Sequence, residues 1–225
     1  MNNIRRIFFL TFLLCTVRAW CFDGIHGASG RNNFGPEFGY TSFRPSGINA
    51  MVDHGFEGFS SLVTFGIGNT ADLLVNAESD FDGQFALHFF LPYRIEAFSG
   101  VTPIYARGWE LMTSAYGIDV LRNVKAVDFV LAPGVYWGEL KITHHSSALK
   151  YRDDRYDNPF VAPMLRGDLR INISRLSLGA RVSYRYDLTH GTWKRKSDNM
   201  QELPAYKFRE LQYMFYIAWS YVKKE

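Results

Sequence analysis

The stretch RLSLGARVSYRYDL (residues 175–188) alternates apolar and polar side chains over most of its length. Arg181, Ser183, Arg185 and Asp187 each stand between two apolar residues. Strict alternation has a period of two residues, which predicts a β-strand with one apolar face and one charged face. In a soluble sheet the apolar face points into the core, whereas in a membrane barrel it meets lipid. The rest of the chain has to decide between these two arrangements.

The N-terminal segment has the layout of a secretory signal peptide. Arg5 and Arg6 precede an apolar run over residues 7–17, which is short for a bilayer span, and small residues follow the run. We therefore interpret residues 1–21 as a signal peptide cleaved after Ala19 or Cys21, and residues 22–225 as one mature domain. The protein is expected to be exported.

Cysteine content and charge argue against a disulfide-linked domain and against a nucleic-acid-binding protein. The two cysteines, Cys15 and Cys21, lie within the predicted signal peptide, so the mature chain is predicted to have no disulfide. The signal peptide also carries Arg5, Arg6 and Arg18 without an acidic residue. The 25 basic residues of the full sequence thus fall to 22 in the mature chain, against 22 acidic residues. This balance argues against nucleic-acid binding.

Alternation recurs along the mature chain and predicts eight strands. They cover residues 34–43, 55–68, 84–98, 108–120, 127–142, 165–173, 176–188 and 210–222. Residues 108–120 alternate least well. In the fifth segment, Leu140 and Ile142 suggest a bulge near Gly138 that moves the outward face from odd to even positions. The link over residues 69–83 is long enough to hide a strand, so ten strands remain an alternative.

The face opposite the apolar one is rich in small residues and charges of both signs. A solvated surface would carry mostly Lys and Glu, whereas small and oppositely charged residues fit the interior of a narrow closed barrel. We therefore predict an all-β fold, an antiparallel up-and-down transmembrane barrel. Its predicted interior charge network comprises Asp128, Arg166, Asp168, Arg170, Arg181, Arg185, Asp187 and Glu210.

The lengths of the links support this interpretation. Residues 174–175 and 122–125 form short turns, and the links 44–54, 99–107, 143–159 and 190–204 are long and polar. Alternating short and long links are typical of outer-membrane barrels, in which the long loops are extracellular. The chain is expected in a bacterial outer membrane, with an aromatic girdle at Trp137, Tyr184, Tyr186, Trp219 and Tyr221.

The predicted signal peptide, the aromatic-rich alternating strands and the aromatic final strand resemble the small outer-membrane barrels of the OmpA, OmpX, opacity and OmpW kinds. The resemblance covers the mature chain and is architectural. It implies outer-membrane lipid and the barrel-assembly machinery as partners. Those barrels usually end on an aromatic residue, whereas this chain ends on Lys223-Lys224-Glu225, and Tyr221 is the nearest substitute.

A second, local resemblance concerns residues 143–159. His144-His145-Ser146-Ser147 is similar to the His-x-Ser-Asn motif of the outer-membrane lipid A deacylases, with serine in place of asparagine. The resemblance implies Ser146 as nucleophile and His144 as base, with Asp153, Asp154 or Asp157 orienting the histidine. After the expected parity change, His144 and Ser146 would face lipid. The alternative is a polar extracellular loop.

The function that the sequence predicts is that of a small barrel with a charged, largely plugged lumen. Its predicted role is one of three: a structural role, surface contact through loops 44–54, 143–159 and 190–204, or the passage of solutes through a narrow pore. Lipid ester hydrolysis is the alternative function. No cofactor or metal is predicted, because adjacent strand residues such as His144 and His145 point in opposite directions.

Overall fold

The computed structural model describes residues 31–50, 58–76, 79–96, 103–119, 126–145, 153–195 and 203–222. The predicted signal peptide with its cleavage sites, and Ser146, lie outside these ranges. The strands are β1 (Arg31–Ser42), β2 (Ser61–Asn76), β3 (Ser79–Glu96), β4 (Pro103–Asp119), β5 (Val127–His145), β6 (Asp153–Ile173), β7 (Leu176–Arg185), β8 (Lys194–Arg195) and β9 (Leu211–Val222). One short helix, α1, covers Ser46–Asn49.

Eight long strands close into a ring. Strands β1 to β6 each pair with the next in sequence, β7 pairs with β9, and β9 pairs with β1, all antiparallel. Closure gives each of the eight long strands two hydrogen-bonded neighbours, so in the described ranges none of them is an open sheet edge. The predicted fold class, an eight-stranded antiparallel barrel, is confirmed, and the ten-stranded alternative is not.

The two ends of the barrel differ. At the turn end, the links between β2 and β3, β4 and β5, and β6 and β7 comprise residues 77–78, 120–126 and 174–175. The expectation of a long link over residues 69–83 was wrong, because β2 continues to Asn76 and β3 begins at Ser79 in register with it. At the opposite, loop end, longer segments join β1 to β2 and β7 to β9.

Strands extend further toward the loop end than the sequence predicted. Residues 143–145 belong to β5 and residues 153–159 to β6, so the expected loop over 143–159 is wrong and its link is residues 146–152. Part of the expected loop 44–54 forms α1, and part of loop 190–204 forms β8 beside β6. Gly191 has a φ of 66°, a left-handed conformation that favours glycine.

Burial follows the alternation with the apolar face outward. In β6 and β7, Leu165, Leu169, Val182 and Tyr184 are exposed, and their sequence neighbours are buried. Other strands continue this exposed apolar wall with Phe34, Phe38, Val63, Phe65, Ile67, Phe85, Phe89, Leu131, Val135, Phe215, Ile217 and Trp219. The sheet is therefore apolar on its convex side.

The expected parity change in β5 is wrong. Strands β5 and β6 pair without a register shift from Val127 to His145, so no bulge occurs at Gly138. Leu140 and Ile142 are fully buried and face the interior of the barrel. Their apolar character reflects an apolar cluster inside the barrel at this level. The argument that turned His144 toward lipid therefore loses its basis.

Candidate functional site

Four arginines line the interior along β6 and β7. Arg166, Arg170, Arg181 and Arg185 are each at most 1% exposed. The alternation that exposes their apolar neighbours necessarily places them inside. A buried guanidinium is costly unless acceptors surround it, so the partners of these side chains define the site.

A histidine held by two glutamates occupies the middle of the interior. His88 of β3 has its Nε2 atom 2.7 Å from Glu37 Oε2 and its Nδ1 atom 3.1 Å from Glu110 Oε1. All three side chains are buried. Carboxylates only accept hydrogen bonds, and a neutral imidazole has one N–H group. Both contacts are therefore satisfied together only by the imidazolium form.

Two of the arginines extend this cluster across the barrel. Arg181 donates from Nη1 to Glu37 Oε2 at 3.0 Å and from Nη2 to Glu37 Oε1 at 2.7 Å, a bidentate pair. Arg185 donates from Nη1 to Glu110 Oε2. The resulting row Arg181–Glu37–His88–Glu110–Arg185 ties β7 to β3 and β4, which are not its neighbours in the sheet.

Asp168 is a second acceptor centre nearer the turn end. It accepts from Arg166 Nη1 at 3.1 Å and from the Tyr216 hydroxyl at 2.6 Å, and Arg181 Nε lies 3.5 Å from it. Arg170 Nε donates to the Tyr216 hydroxyl at 3.2 Å. Gly179 leaves the space for the Tyr216 ring, since a Cβ atom there would overlap it.

The network continues to both sides of these centres. Toward the turn end, Asp128 lies 3.5 Å from Arg170 Nη1 and accepts from Asn172 Nδ2 at 2.8 Å. Toward the loop end, Gln212 donates to Glu110 and, at 2.9 Å, to Thr41 Oγ1, and it accepts from the Tyr136 hydroxyl. One polar network therefore spans the turn-end half of the interior.

The loop-end half of the interior is mainly apolar instead. Phe43, Phe59, Phe160 and Phe208 are each at most 1% exposed, and the rings of Phe160 and Phe208 lie 4.6 Å apart. Ile48 of α1 packs into the same cluster. Phe43 and Phe208 belong to segments outside the strands, so the chain folds back into the barrel at this end.

Two of the predicted network residues, Asp187 and Glu210, contact this returning chain rather than arginine in the contacts described. Asp187 accepts from the backbone N–H groups of Thr189 at 2.8 Å and Phe208 at 3.2 Å. Glu210 accepts from the Tyr206 hydroxyl at 2.9 Å. Burial raises the pKa of Tyr206, and the Glu210 carboxylate acts in the same direction.

Sequence reasoning placed six of its eight network residues among these contacts and did not include several partners. Six predicted residues contact one another or the partners described above: Arg166, Asp168, Arg170, Arg181, Arg185 and Asp128. The partners outside the predicted charge network are Glu37, Glu110, Tyr136, Gln212, Tyr216 and His88, the last of which the alternation of residues 84–98 predicts on the inward face as a hydrogen-bonded residue. The inward position of Glu37 and His88 could be predicted from the sequence, since both lie on the polar face of well-alternating segments. Glu110 lay in the least regular segment.

Gly68 provides a direct test of how closely the network is packed. A Cβ atom on Gly68 would overlap the Glu37 carboxylate, whereas one on Gly167 would meet Leu131 Cδ2 at an ordinary 3.6 Å. We expect Gly68→Ala to lower the free energy of unfolding by about 1–3 kcal/mol, the range for overpacking, because Glu37 must leave His88 and Arg181. Gly167→Ala, the matched control, should stay within about 0.5 kcal/mol.

Urea unfolding of the refolded barrel in lipid vesicles measures both variants of this pair. Equal stability of Gly68→Ala and Gly167→Ala would contradict the close packing of Glu37.

The residues of the hydrolase hypothesis are only partly described. The backbones of His144 and Asp154 are paired across β5 and β6, as are those of His145 and Asp153. The side chains of these four residues, and all of Ser146, lie outside the described part. Asp157 is half-buried and pairs with Lys141 in register. Nucleophilic chemistry at Ser146 stays a prediction.

The aromatic residues expected in a girdle lie on the outer wall where they are described. Tyr184, Tyr186 and Trp219 are exposed. Trp137 is half-buried because it packs edge-to-face on Trp109, with ring centroids 5.6 Å apart. The side chain of Tyr221 lies outside the described part.

Within the described ranges, no group of three His, Cys, Asp or Glu side chains has the arrangement of a metal site. No helix in the same ranges is long and apolar enough to cross a bilayer.

Comparison with known proteins identifies a similar fold without a family. No protein-family model matches the sequence, and no curated protein matches it. A solved structure, a major outer membrane protein from Thermus thermophilus, aligns over 85% of this chain and 99% of its own, with a TM-score of 0.57 and 8% sequence identity. At this identity the likeness concerns the fold alone.

Proposed function

We propose that this chain is an outer-membrane barrel whose role is structural and surface-interacting, with a closed lumen. The observation that carries the proposal is the inverted distribution of side chains, apolar outside and charged inside. Leu165 is 61% and Ile217 51% exposed, whereas Arg166 and Arg181 are at most 1% exposed. In water, apolar side chains are stabilised inside a protein and charged ones outside, whereas contact with lipid favours apolar side chains on the outer face.

Closure of the sheet supports the same environment. Backbone N–H and C=O groups have no partner in the hydrocarbon region, so a sheet can cross a membrane only as a closed barrel. The ring of eight strands meets that requirement. A solved protein of similar fold is described as a major outer membrane protein. Its location is thus in keeping with the one proposed here.

The two layers of the interior support the proposed closed lumen. The row from Arg181 to Arg185 crosses the barrel in the turn-end half, and the phenylalanine cluster fills the loop-end half. Eight-stranded barrels have interiors that side chains just fill. Solute passage would require breaking buried ion pairs, so the proposed role lies in the wall and the loops. The segments proposed for surface contact are the predicted loops 44–54, 143–159 and 190–204, of which β5 and β6 take up all but residues 146–152 of the second.

Planar-bilayer recording tests the closed lumen. The purified full chain, inserted into a bilayer, should give no discrete conductance steps at moderate voltage, while a porin in the same bilayer gives steps. Insertion is verified separately by protease protection of the reconstituted protein. Reproducible single-channel steps from verified, inserted protein would contradict a closed lumen and favour narrow solute passage.

A further inference from the structure

Two neighbouring strands, β4 and β5, change the chemistry of their outer face near the loop end. Along β5 the outward residues run from Val135 through Trp137 to Glu139 and Lys141. On β4, Trp109 is followed toward the loop end by Arg107, which pairs in register with Lys141. Apolar wall, tryptophan pair and cation thus follow one another toward the loop end.

The cations beyond the tryptophans form a group that we call the basic ledge, defined as Arg94, Arg107, Lys141, Arg155 and Lys194. The register places Arg107, Lys141, Asp157 and Lys194 side by side on β4, β5, β6 and β8. Arg155 and Arg94 belong to the next row, with Thr143 and Tyr105 between them. At about 4.8 Å per strand, the first row is about 15 Å wide.

The ledge carries an excess of positive charge. Among the described side chains at these positions, the five cations accompany two carboxylates, Glu139 and Asp157. Glu139 lies 3.0 Å from Lys141 Nζ. Arg94, Arg107, Arg155 and Lys194 are exposed, and Lys141 is one-third exposed. A surface of this width and charge matches an anionic group larger than one carboxylate.

The position of the ledge selects the source of that anion. Tryptophan concentrates at the headgroup level of a membrane, and cations just beyond it meet the headgroups. On the proposed membrane location, we infer that the basic ledge binds the phosphate groups of a phosphorylated glycolipid in the leaflet around the loop end. The acyl chains of that lipid lie along the apolar wall on the turn-end side of the tryptophans, against Val135 and Leu165.

The test uses the full chain in detergent, with native mass spectrometry to quantify lipid binding. The probes are diphosphorylated lipid A, the same glycolipid after dephosphorylation, and sodium phosphate. The ledge variant combines R107Q, K141Q and R155Q. A matched control variant, R44Q, R175Q and K207Q, removes three exposed cations elsewhere on the described surface.

We expect the wild type to prefer lipid A over its dephosphorylated form. The ledge variant should bind lipid A about 100-fold more weakly, given the attraction of each basic residue near an anionic surface. The control variant should stay within about 2-fold of the wild type, since its isolated surface charges contribute little. Loss of affinity in the ledge variant should be specific to the phosphorylated lipid.

Three results would overturn the inference: unchanged lipid A binding by the ledge variant, an equal loss in the control variant, or tight binding of sodium phosphate alone. Every sample is first checked for a heat-dependent mobility shift on electrophoresis. Absence of the shift in the wild type would contradict both the proposed function and lipid binding at the basic ledge. A normal shift together with unchanged lipid A binding by the ledge variant would contradict lipid binding at the basic ledge and leave the proposed function standing.

Discussion

Replacing Arg181 with methionine should lower the free energy of unfolding of the barrel by about 3–5 kcal/mol, the cost of removing one partner of a buried ion pair. Arg181 is bidentate on Glu37 and lies against Asp168, and all three side chains are buried. Methionine fills part of the volume but leaves the Glu37 carboxylate without its main cation. Urea titration in lipid vesicles, read by the mobility of unboiled protein, measures the change.

The double variant R181M with Glu37→Gln is the control for this prediction. Removing the negative charge together with the positive one should recover a substantial part of the loss, because the two residues are coupled directly. A free energy of unfolding of Arg181→Met within about 0.5 kcal/mol of the wild-type value would contradict the claim that the ion-pair network stabilises the interior.

Leu165→Arg should destabilise the barrel by about 2–4 kcal/mol, the cost of arginine at the middle of a lipid-facing wall. Leu165 is 61% exposed and lies at the centre of the outward apolar run of β6. If the wall faced water, the same change would stay within about 0.5 kcal/mol, because an exposed leucine in water contributes little. The substitution therefore distinguishes lipid from water on the outer face.

Leu188→Arg is the matched control. Leu188 is equally exposed, at 65%, but follows the end of β7 near the loop end, beside Val161. Near a membrane interface the cost of arginine falls to about 0–1 kcal/mol. Equal tolerance of both substitutions, in the vesicle titration used for Arg181, would contradict a lipid-facing wall.

The eight strands could be predicted because alternation is a local signal. Residues 176–188 reveal their period within a dozen positions, and the structure keeps that period. The link over residues 69–83 misled because its charged residues resemble a loop, although β2 and β3 pair through them. Polar composition alone does not distinguish a loop from a strand that extends past an apolar wall.

The interior contacts could be predicted only in kind. Arg181 and Glu37 are 144 residues apart, and the sequence does not indicate which acid faces which arginine across a closed ring. Leu140 and Ile142 misled for a related reason. Apolarity was interpreted as contact with lipid, but these side chains meet an apolar cluster built partly by Phe208, which reaches the interior from outside the strands.

The most direct test of the account is electrophoresis of the detergent-extracted membrane fraction, boiled and unboiled, beside the periplasmic fraction. A closed barrel in lipid resists detergent until heated. The account predicts a heat-dependent mobility shift, confined to the membrane sample. Recovery of the protein from the periplasmic fraction without a shift would contradict the assignment of the apolar wall to lipid and of the buried arginines to a closed interior.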